Sequence, residues 1–131
     1  MACSIWSRRR PLGLAGKALQ VQLIYQGGKD VNPETLFGAA YAACFAGALH
    51  LCAKQAAIEI PSLTSVTSRV DIGRNESGGL GLQVLLTVRS YPGVEQAALE
   101  KLVAKAHTIC PYSNAIRGNV PVIFSVVTTK F

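Results

Sequence analysis

Charge is scarce in this 131-residue sequence: charged residues make up 15% of it, against a usual share of about 25%, while hydrophobic residues make up 50%. This composition excludes an intrinsically disordered chain and predicts a large buried fraction, part of it covered by another subunit. The length suits one domain and is too short for two of ordinary size. We therefore expect a single domain over residues 1–131.

Residues that build metal centres and hydrolytic sites are also few. The chain has two histidines, His50 and His107, and neither is coupled to an obvious acid, so a hydrolytic triad has little support. No two cysteines form a C-x-x-C pair, so zinc-type spacing and a thioredoxin-type motif are both absent. We expect no metal site. The four cysteines are Cys3, Cys44, Cys52 and Cys110.

No segment approaches the ~18 consecutive apolar residues that a membrane span needs, and the N-terminal arginines are not followed by the apolar core of a secretory signal. We therefore expect a cytoplasmic protein with no membrane partner. The basic, acid-free start also resembles an organelle transit peptide, although a strand pattern begins soon after it, at Gln20.

The net charge of +6 raises the question of a nucleic-acid partner. Residues 1–17 contain Arg8, Arg9, Arg10 and Lys17 and no acid. The remaining residues carry 9 basic and 7 acidic side chains, a net charge of +2. Because the body of the chain is nearly neutral, we expect no nucleic-acid partner.

Two elements are predicted in the first half of the chain. Residues 17–25 alternate apolar and polar side chains, which indicates a half-buried strand. Asn32, Pro33 and Glu34 are typical of a helix start, because Asn caps, Pro suits the first helical position and Glu suits the positive end of the dipole. We expect this helix to run from about Pro33 to Ala57, before the Ile60-Pro61 step.

The predicted helix is apolar almost all round, since LFGAAYAACFAGALHLCA carries no charge between Glu34 and Lys54. Such a helix is a core helix, buried on every side. Complete burial of a ~35 Å helix is hard in so small a domain without a partner, so we expect a dimer. Small residues would let a neighbouring backbone approach closely: Gly38, Ala39, Ala42, Ala43, Ala46 and Gly47.

The second half predicts a hairpin, a helix and a strand. Residues 62–73 and 80–90 read as two strands joined by the turn cluster at 75–79, and they form an antiparallel hairpin. Residues 94–108 have the spacing of an amphipathic helix, and residues 120–129 form a β-branched strand. The order of strand, helix, hairpin, helix and strand predicts an α+β domain.

Cys44 and Cys110 are the candidates for chemistry. Cysteine in an apolar helix is usually inert packing, which is also our interpretation of Cys52. Cys110 differs because it begins a short polar segment after a helix end, where a thiol can be partly exposed and move. One buried thiol and one loop thiol are what a two-cysteine redox cycle needs: the first becomes a sulfenic acid and the second condenses with it to a disulfide.

Such a cycle needs a cation, because the thiolate is the reactive form and a free thiol with a pKa of ~8.5 is mostly protonated at neutral pH. Arg8, Arg9 and Arg10 are available, and Glu34 could orient one of them through a bidentate pair. The ordinary alternatives are a solvated terminus for the arginines and a helix-dipole role for Glu34.

Two segments resemble a known family. NPETLFGAAYAACFAGAL and, much later, AHTICPYSNAIRGNV closely resemble the organic hydroperoxide resistance proteins of the Ohr/OsmC superfamily, and the resemblance covers residues 17–129. CPYSNAIRGN favours the Ohr branch over the OsmC branch. The resemblance implies an OsmC-like fold in an intertwined homodimer, with a long apolar central helix and a second helix packed on antiparallel sheets.

The resemblance also implies a thiol peroxidase that reduces organic hydroperoxides, including fatty-acid ones, to alcohols. Cys44 matches the peroxidatic cysteine, Cys110 the resolving cysteine and Glu34 the acid that pairs with the catalytic arginine. No cofactor is bound in such proteins; a dihydrolipoyl dithiol, as dihydrolipoamide or on a lipoylated protein, recharges them.

The N-terminal residues 1–16 are atypical of that family. An ungapped match through KALQVQL places Arg8 at the position of the essential arginine, with Arg9 and Arg10 as alternates. Glu34 and Cys44 are ten positions apart, which on one straight helix is ~15 Å in height and not the same face. We therefore expect the site to be completed across the dimer interface, with Glu34 near the partner's thiol.

An apolar pocket beside Cys44 would favour alkyl hydroperoxides over hydrogen peroxide. A non-catalytic relative, in which the altered N-terminus has lost the arginine and the dimer binds a small lipid-like ligand, is the alternative function. The five pocket candidates could equally be plain core: Leu36, Phe37, Tyr41, Phe45 and Ile116.

Overall fold

Three helices and three strands make up the described part of the chain. A computed structural model describes residues 32–129. The predicted strand at 17–25, the atypical residues 1–16, and the three arginines at 8–10 lie outside the described residues. The elements are α1 (Pro33–Gln55), β1 (Ser65–Arg74), β2 (Leu80–Ser90), α2 (Gln96–Ile109), α3 (Pro111–Ile116) and β3 (Val122–Thr128).

Helix α1 begins where the sequence predicts. The Asn32 side chain accepts a hydrogen bond of 2.7 Å from the backbone N–H of Thr35, and Pro33 occupies the first turn. The helix ends at Gln55, two residues before the predicted end. Ala57 adopts a left-handed conformation, with φ of 53°, which a continuing helix does not allow.

Helix α1 approaches β1 closely at Gly38. A Cβ atom at this position would lie 3.1 Å from Val70 Cγ2 and 3.3 Å from Ser68 Oγ. The atoms that approach Gly38 belong to side chains of β1, whereas we expected a neighbouring backbone. A Cβ atom at Gly47 would meet nothing within 4 Å, so the small residues of α1 face two different environments.

Burial of α1 on every side is not reached within one chain. Tyr41 and Phe45 are fully buried, whereas Leu36 is 43% exposed and Leu51 is 45% exposed. The reason is geometric, because a helix that packs on one sheet and one other helix buries only part of its circumference. The outer face of α1, which includes Leu36, Ala43, Gly47 and Leu51, is apolar and exposed.

By length and composition, α1 could also cross a membrane: it has 23 residues, and its most apolar 18-residue stretch has a mean hydropathy of 1.6. The expectation that no segment approaches a span was therefore too strict. The core helix of a soluble protein meets the same criterion. In this chain Tyr41, Phe45 and Leu49 of α1 lie in the hydrophobic core.

The predicted hairpin is confirmed. β1 and β2 pair antiparallel, with Val66 opposite Val88 and Val70 opposite Val84. The turn between them is held by the Asn75 side chain, which accepts a hydrogen bond of 2.9 Å from the backbone N–H of Gly79. Gly78 has φ of 83°, a conformation that glycine adopts without a steric penalty.

β3 pairs with β2 in parallel, so the described sheet, in the order β1-β2-β3, is mixed rather than wholly antiparallel. Helices α2 and α3 form the crossover that parallel neighbours require. The α+β class is confirmed. Helices α1 and α2 pack together, with α1 against β1 and α2 against β3, and the core lies between the helices and the sheet.

Candidate active site

The structure brings Cys44 and Cys110 together. Cys44 lies in the middle of α1, and Cys110 is the single residue between α2 and α3. The Cys110 thiol donates toward the Cys44 sulfur across 3.6 Å, although 66 residues separate the two. A disulfide bond is about 2.05 Å long, so these are two free thiols in contact.

The burial of the two thiols is the reverse of what we expected. Cys110 is fully buried and Cys44 is partly exposed. The sequence suggested a polar loop after α2, but Pro111 starts the short helix α3, and Cys110 joins the hydrophobic core at the bend. The thiol that a reagent from solution can reach is therefore Cys44.

The described surroundings of Cys44 disfavour its thiolate. Burial raises the pKa of the Cys44 thiol, and the adjacent Cys110 thiol raises it further. The backbone N–H of Tyr112, which donates toward the Cys44 sulfur, opposes that rise. Within residues 32–129 no cation lowers this pKa, so ionisation of Cys44 at neutral pH needs a positive charge from elsewhere.

Arg117 directly follows α3, and its hydrogen bonds join that helix to α2. Its guanidinium donates to the backbone carbonyl of His107, at the end of α2, and to the side-chain oxygen of Asn114. Burial, together with the charge of Arg117, lowers the pKa of the His107 imidazole. Arg117 thus fastens α3 to the last turn of α2.

A second contact crosses from α1 to α3 beside the thiols. The Tyr41 hydroxyl and the Ser113 hydroxyl are 2.6 Å apart, and both residues are fully buried. Burial raises the pKa of the Tyr41 phenol, and both cysteines add to that rise. Sequence reasoning missed Ser113; the available signal was its place three residues after Cys110, matching the place of Tyr41 three residues before Cys44.

Aromatic rings continue from this contact toward the surface. The ring of Tyr41 lies 6.0 Å from that of Phe37 and 6.1 Å from that of Tyr112, measured between centroids. Tyr112, which was not among the pocket candidates, is 39% exposed. Its backbone contacts Cys44, so its side chain stands at the edge of the thiol site.

The five pocket candidates separate by burial. Tyr41 and Phe45 are fully buried, and the Phe45 ring lies 5.3 Å from that of Phe124. Phe37 and Ile116 are partly buried against the core, and Leu36 is exposed.

Glu34 stands in the first turn of α1, partly buried. Because α1 begins at Pro33, a late start of the helix does not bring Glu34 closer to Cys44. The rise of ~15 Å along the axis therefore stands. Among residues 32–129, no cationic side chain forms an ion pair with Glu34.

Other chemistry-bearing groups stand apart from this pair. Cys52 is fully buried, two turns of α1 beyond Cys44. Across residues 32–129, no group of three or more His, Cys, Asp or Glu side chains has the arrangement of a metal site. An open depression of about 860 Å³ lies at the far end of the hairpin, between the turn at 75–77 and residues 119–121, and it contains no thiol or imidazole.

The described chain is thus an α+β domain with a pair of contacting thiols, one reachable and one buried. The OsmC-like protein family model matches residues 26–125, and the chain belongs to that family.

Several similar proteins are named organic hydroperoxide resistance proteins. An organic hydroperoxide resistance protein of Xanthomonas axonopodis pv. citri is 47% identical over 100 residues, which cover 76% of this chain and 69% of the relative. The crystal structure of an organic hydroperoxide resistance protein from Elizabethkingia anophelis is 47% identical and matches with a TM-score of 0.70 over 76% of this chain and 69% of the other. The crystal structure of the organic hydroperoxide resistance protein OhrB of Bacillus subtilis is 42% identical. It matches with a TM-score of 0.69 over 73% of this chain and 70% of the other.

Proposed function

We propose that this protein is a thiol peroxidase that reduces organic hydroperoxides to alcohols and protects against oxidative stress. The observation that carries the proposal is the 3.6 Å contact between a partly exposed Cys44 and a buried Cys110. The names of the relatives, organic hydroperoxide resistance proteins, support the substrate class.

The proposed first step is attack of the Cys44 thiolate on the outer oxygen of the hydroperoxide. A sulfur–oxygen bond forms, the O–O bond breaks, and the alkoxide leaves as the alcohol after taking a proton. In the second step the Cys110 sulfur attacks the Cys44 sulfenic acid, the disulfide forms, and oxygen leaves as water. A dithiol such as dihydrolipoamide or a lipoylated protein then reduces the disulfide and becomes a cyclic disulfide itself.

No cation among the described residues lowers the pKa of the Cys44 thiol. In this proposal that cation is Arg8, with Arg9 and Arg10 as alternates. A guanidinium beside the sulfur would favour the thiolate and the departing oxygen, against the effect of burial on Cys44. Glu34 would hold that guanidinium. Because Glu34 and Cys44 are far apart along α1, the proposal places Glu34 beside the thiol of a second subunit.

A homodimer also accounts for the outer face of α1. Leu36 and Leu51 are exposed there by 43% and 45%, and the face carries no charge between Glu34 and Lys54. Burial of such a face against a second copy removes apolar surface from water and stabilises the pair. We place the dimer in the cytoplasm.

In this proposal apolar side chains near Cys44 favour alkyl hydroperoxides over hydrogen peroxide as substrates. Leu36, Phe37 and Ile116 are partly exposed or half-buried and would line the approach, with Tyr41 and Phe45 behind them. Alkyl chains gain about 25 cal/mol for each Å² that such a surface removes from water, a term that hydrogen peroxide lacks.

The test is turnover of tert-butyl hydroperoxide and a fatty-acid hydroperoxide with dihydrolipoamide. Cys44→Ser should abolish it, while Cys52→Ser, the matched change of a buried cysteine on the same helix, should keep it. Retained activity in Cys44→Ser would sink the proposal.

The raised pKa of Cys44 favours one other candidate, a non-catalytic dimer that binds a small hydrophobic ligand. In that case Cys44 should react with hydroperoxide no faster than an ordinary thiol. A stopped-flow rate for the wild-type protein against free cysteine separates the two functions.

A further inference from the structure

Two contacts join α1 to the segment formed by Cys110 and α3. One is the contact between the Cys44 and Cys110 sulfur atoms, at 3.6 Å. The other is the hydrogen bond between the Tyr41 and Ser113 hydroxyls, at 2.6 Å. Tyr41 lies three residues before Cys44, on the same side of α1. Ser113 lies in α3, three residues after Cys110, which immediately precedes that helix.

We propose that the Tyr41–Ser113 hydrogen bond is a positioning element that holds the Cys110 sulfur against Cys44. The proposal rests on the thiol peroxidase function argued above. Neither hydroxyl takes part in bond making. Their role is to keep α3 seated on α1 while Cys44 is oxidised, so that the buried thiol captures the sulfenic acid at once.

The short length of α3 makes such an element necessary. With six residues it is about 9 Å long and has few contacts that can fix its position. Arg117 fastens α3 to the end of α2, through the carbonyl of His107, but not to α1. The backbone N–H of Tyr112, in α3, also donates toward the Cys44 sulfur in α1. The Tyr41–Ser113 hydrogen bond is the side-chain contact that joins α1 to α3 away from the two sulfur atoms.

The chemistry is sensitive to this position. To close the disulfide, the sulfur atoms must approach from 3.6 Å to about 2.05 Å. The sulfur–sulfur bond then forms, the sulfur–oxygen bond of Cys44 breaks, and the oxygen leaves as water with the sulfenic proton and the proton of Cys110. If α3 drifts, the sulfenic acid survives longer, and a second hydroperoxide oxidises it to sulfinic acid with release of a second alcohol.

The surroundings keep the hydrogen bond intact. Both hydroxyls are fully buried, so water does not compete for them. Burial raises the pKa of the Tyr41 phenol, although the Ser113 hydrogen bond and the charge of Arg117 oppose that rise, so the phenol stays neutral while the cysteines react.

The experiment compares Tyr41→Phe, Ser113→Ala and the double variant. Each single change leaves one buried hydroxyl without its partner and should lower stability, whereas removal of both should restore most of it. Disulfide formation after a single addition of tert-butyl hydroperoxide, without reductant, is followed by acid quench, alkylation and mass spectrometry.

In the double variant we expect disulfide formation to be slower by between about tenfold and a hundredfold, and the sulfinic fraction to rise, despite the recovered stability. Ser90→Ala is the matched control. It removes another fully buried hydroxyl, bonded to Thr64 at 3.1 Å, and should lower stability without changing the rate of disulfide formation. A wild-type rate in the double variant would overturn the proposal.

A peroxide-free measurement separates this inference from the proposed function. In a dithiothreitol redox buffer, the double variant should shift the Cys44–Cys110 equilibrium toward the dithiol by about tenfold, or about 30 mV for a two-electron couple. If the wild-type protein fails to react with hydroperoxide, the proposed function fails. An unchanged equilibrium in the double variant overturns the positioning role in either case.

Discussion

The buried thiol of Cys110 lies 3.6 Å from the partly exposed thiol of Cys44, so the described residues bring the two sulfur atoms into contact. In the proposed cycle Cys44 reacts first, because a reagent from solution meets it first. Closure of the proposed disulfide would need a shift of well under one helical turn.

Cys110→Ser should block the disulfide while leaving Cys44 reactive. After hydroperoxide is added, the Cys44 sulfenic acid should persist and pass to sulfinic acid, because no second thiol captures it. Mass spectrometry of the intact protein checks this through mass gains of one and two oxygens. Cys52→Ser serves as the control, and a Cys110→Ser protein as resistant to over-oxidation as the wild type would contradict the prediction.

Arg8→Ala should raise the pKa of the Cys44 thiol, because it removes the cation proposed to favour the thiolate. The measurement is the rate of alkylation of Cys44 by iodoacetamide as a function of pH. The pH at which the alkylation rate reaches half its maximum should be higher in the variant than in the wild type. Arg9→Ala and Arg10→Ala are matched controls, and a shift in either of them with none in Arg8→Ala would assign the role to the other arginine.

Gly38→Ala should destabilise the fold. The added Cβ atom meets Val70 Cγ2 at 3.1 Å and Ser68 Oγ at 3.3 Å, so these side chains must shift in a packed contact, at a cost of about 1–3 kcal/mol. Urea unfolding measures the change. Gly73→Ala, at a strand position with nothing within 4 Å, should instead be neutral or stabilising. Equal stability of the two variants would argue against the close approach.

His107 should make the protein less stable in acid. Burial and the charge of Arg117 lower the pKa of its imidazole in the folded chain. As pH falls below about 6.5, the unfolded chain therefore takes up this proton first, and the free energy of unfolding decreases. His107→Gln should remove that part of the decrease in urea unfolding between pH 7 and pH 5. A decrease in the free energy of unfolding that is as large in His107→Gln as in the wild type would contradict the prediction.

Leu51→Glu should dissociate the proposed dimer, because it places a charge on the exposed apolar face of α1. Sedimentation velocity measures the outcome at several protein concentrations. The same substitution at Leu63, which is 68% exposed before β1, is the control and should leave the mass unchanged. A wild-type protein that sediments as a monomer at every concentration would rule the dimer out.

Local signals were enough to predict most elements. Asn32 and Pro33 define the start of α1, and strict alternation with a glycine-rich turn defines the hairpin, because capping and side-chain period act over a few residues. The direction of β3 was not predictable in this way. A strand has the same period of two whether its neighbour is parallel or antiparallel, so the pairing depends on the crossover through α2 and α3.

The structure brings the two candidate cysteines into contact, but their burial is the reverse of what the sequence suggested. The family resemblance singled out Cys44 and Cys110 as the reactive pair, while composition alone favoured inert packing for Cys44. The polarity of PYSN suggested a loop, and six residues are too few to show a helical period, so α3 and the burial of Cys110 went unrecognised. The partner of Tyr41 is 72 residues away, at Ser113, and such contacts are set by packing.

The long separation between the two cysteines would couple the proposed oxidation to the folding equilibrium. A disulfide between residues 66 positions apart closes a large loop and removes conformations from the unfolded chain, which stabilises the fold by about 4 kcal/mol in the chain-entropy treatment. Each proposed cycle would therefore alternate between a more stable oxidised form and a less stable reduced form. Reduction of the disulfide would return the protein to the form that unfolds more readily.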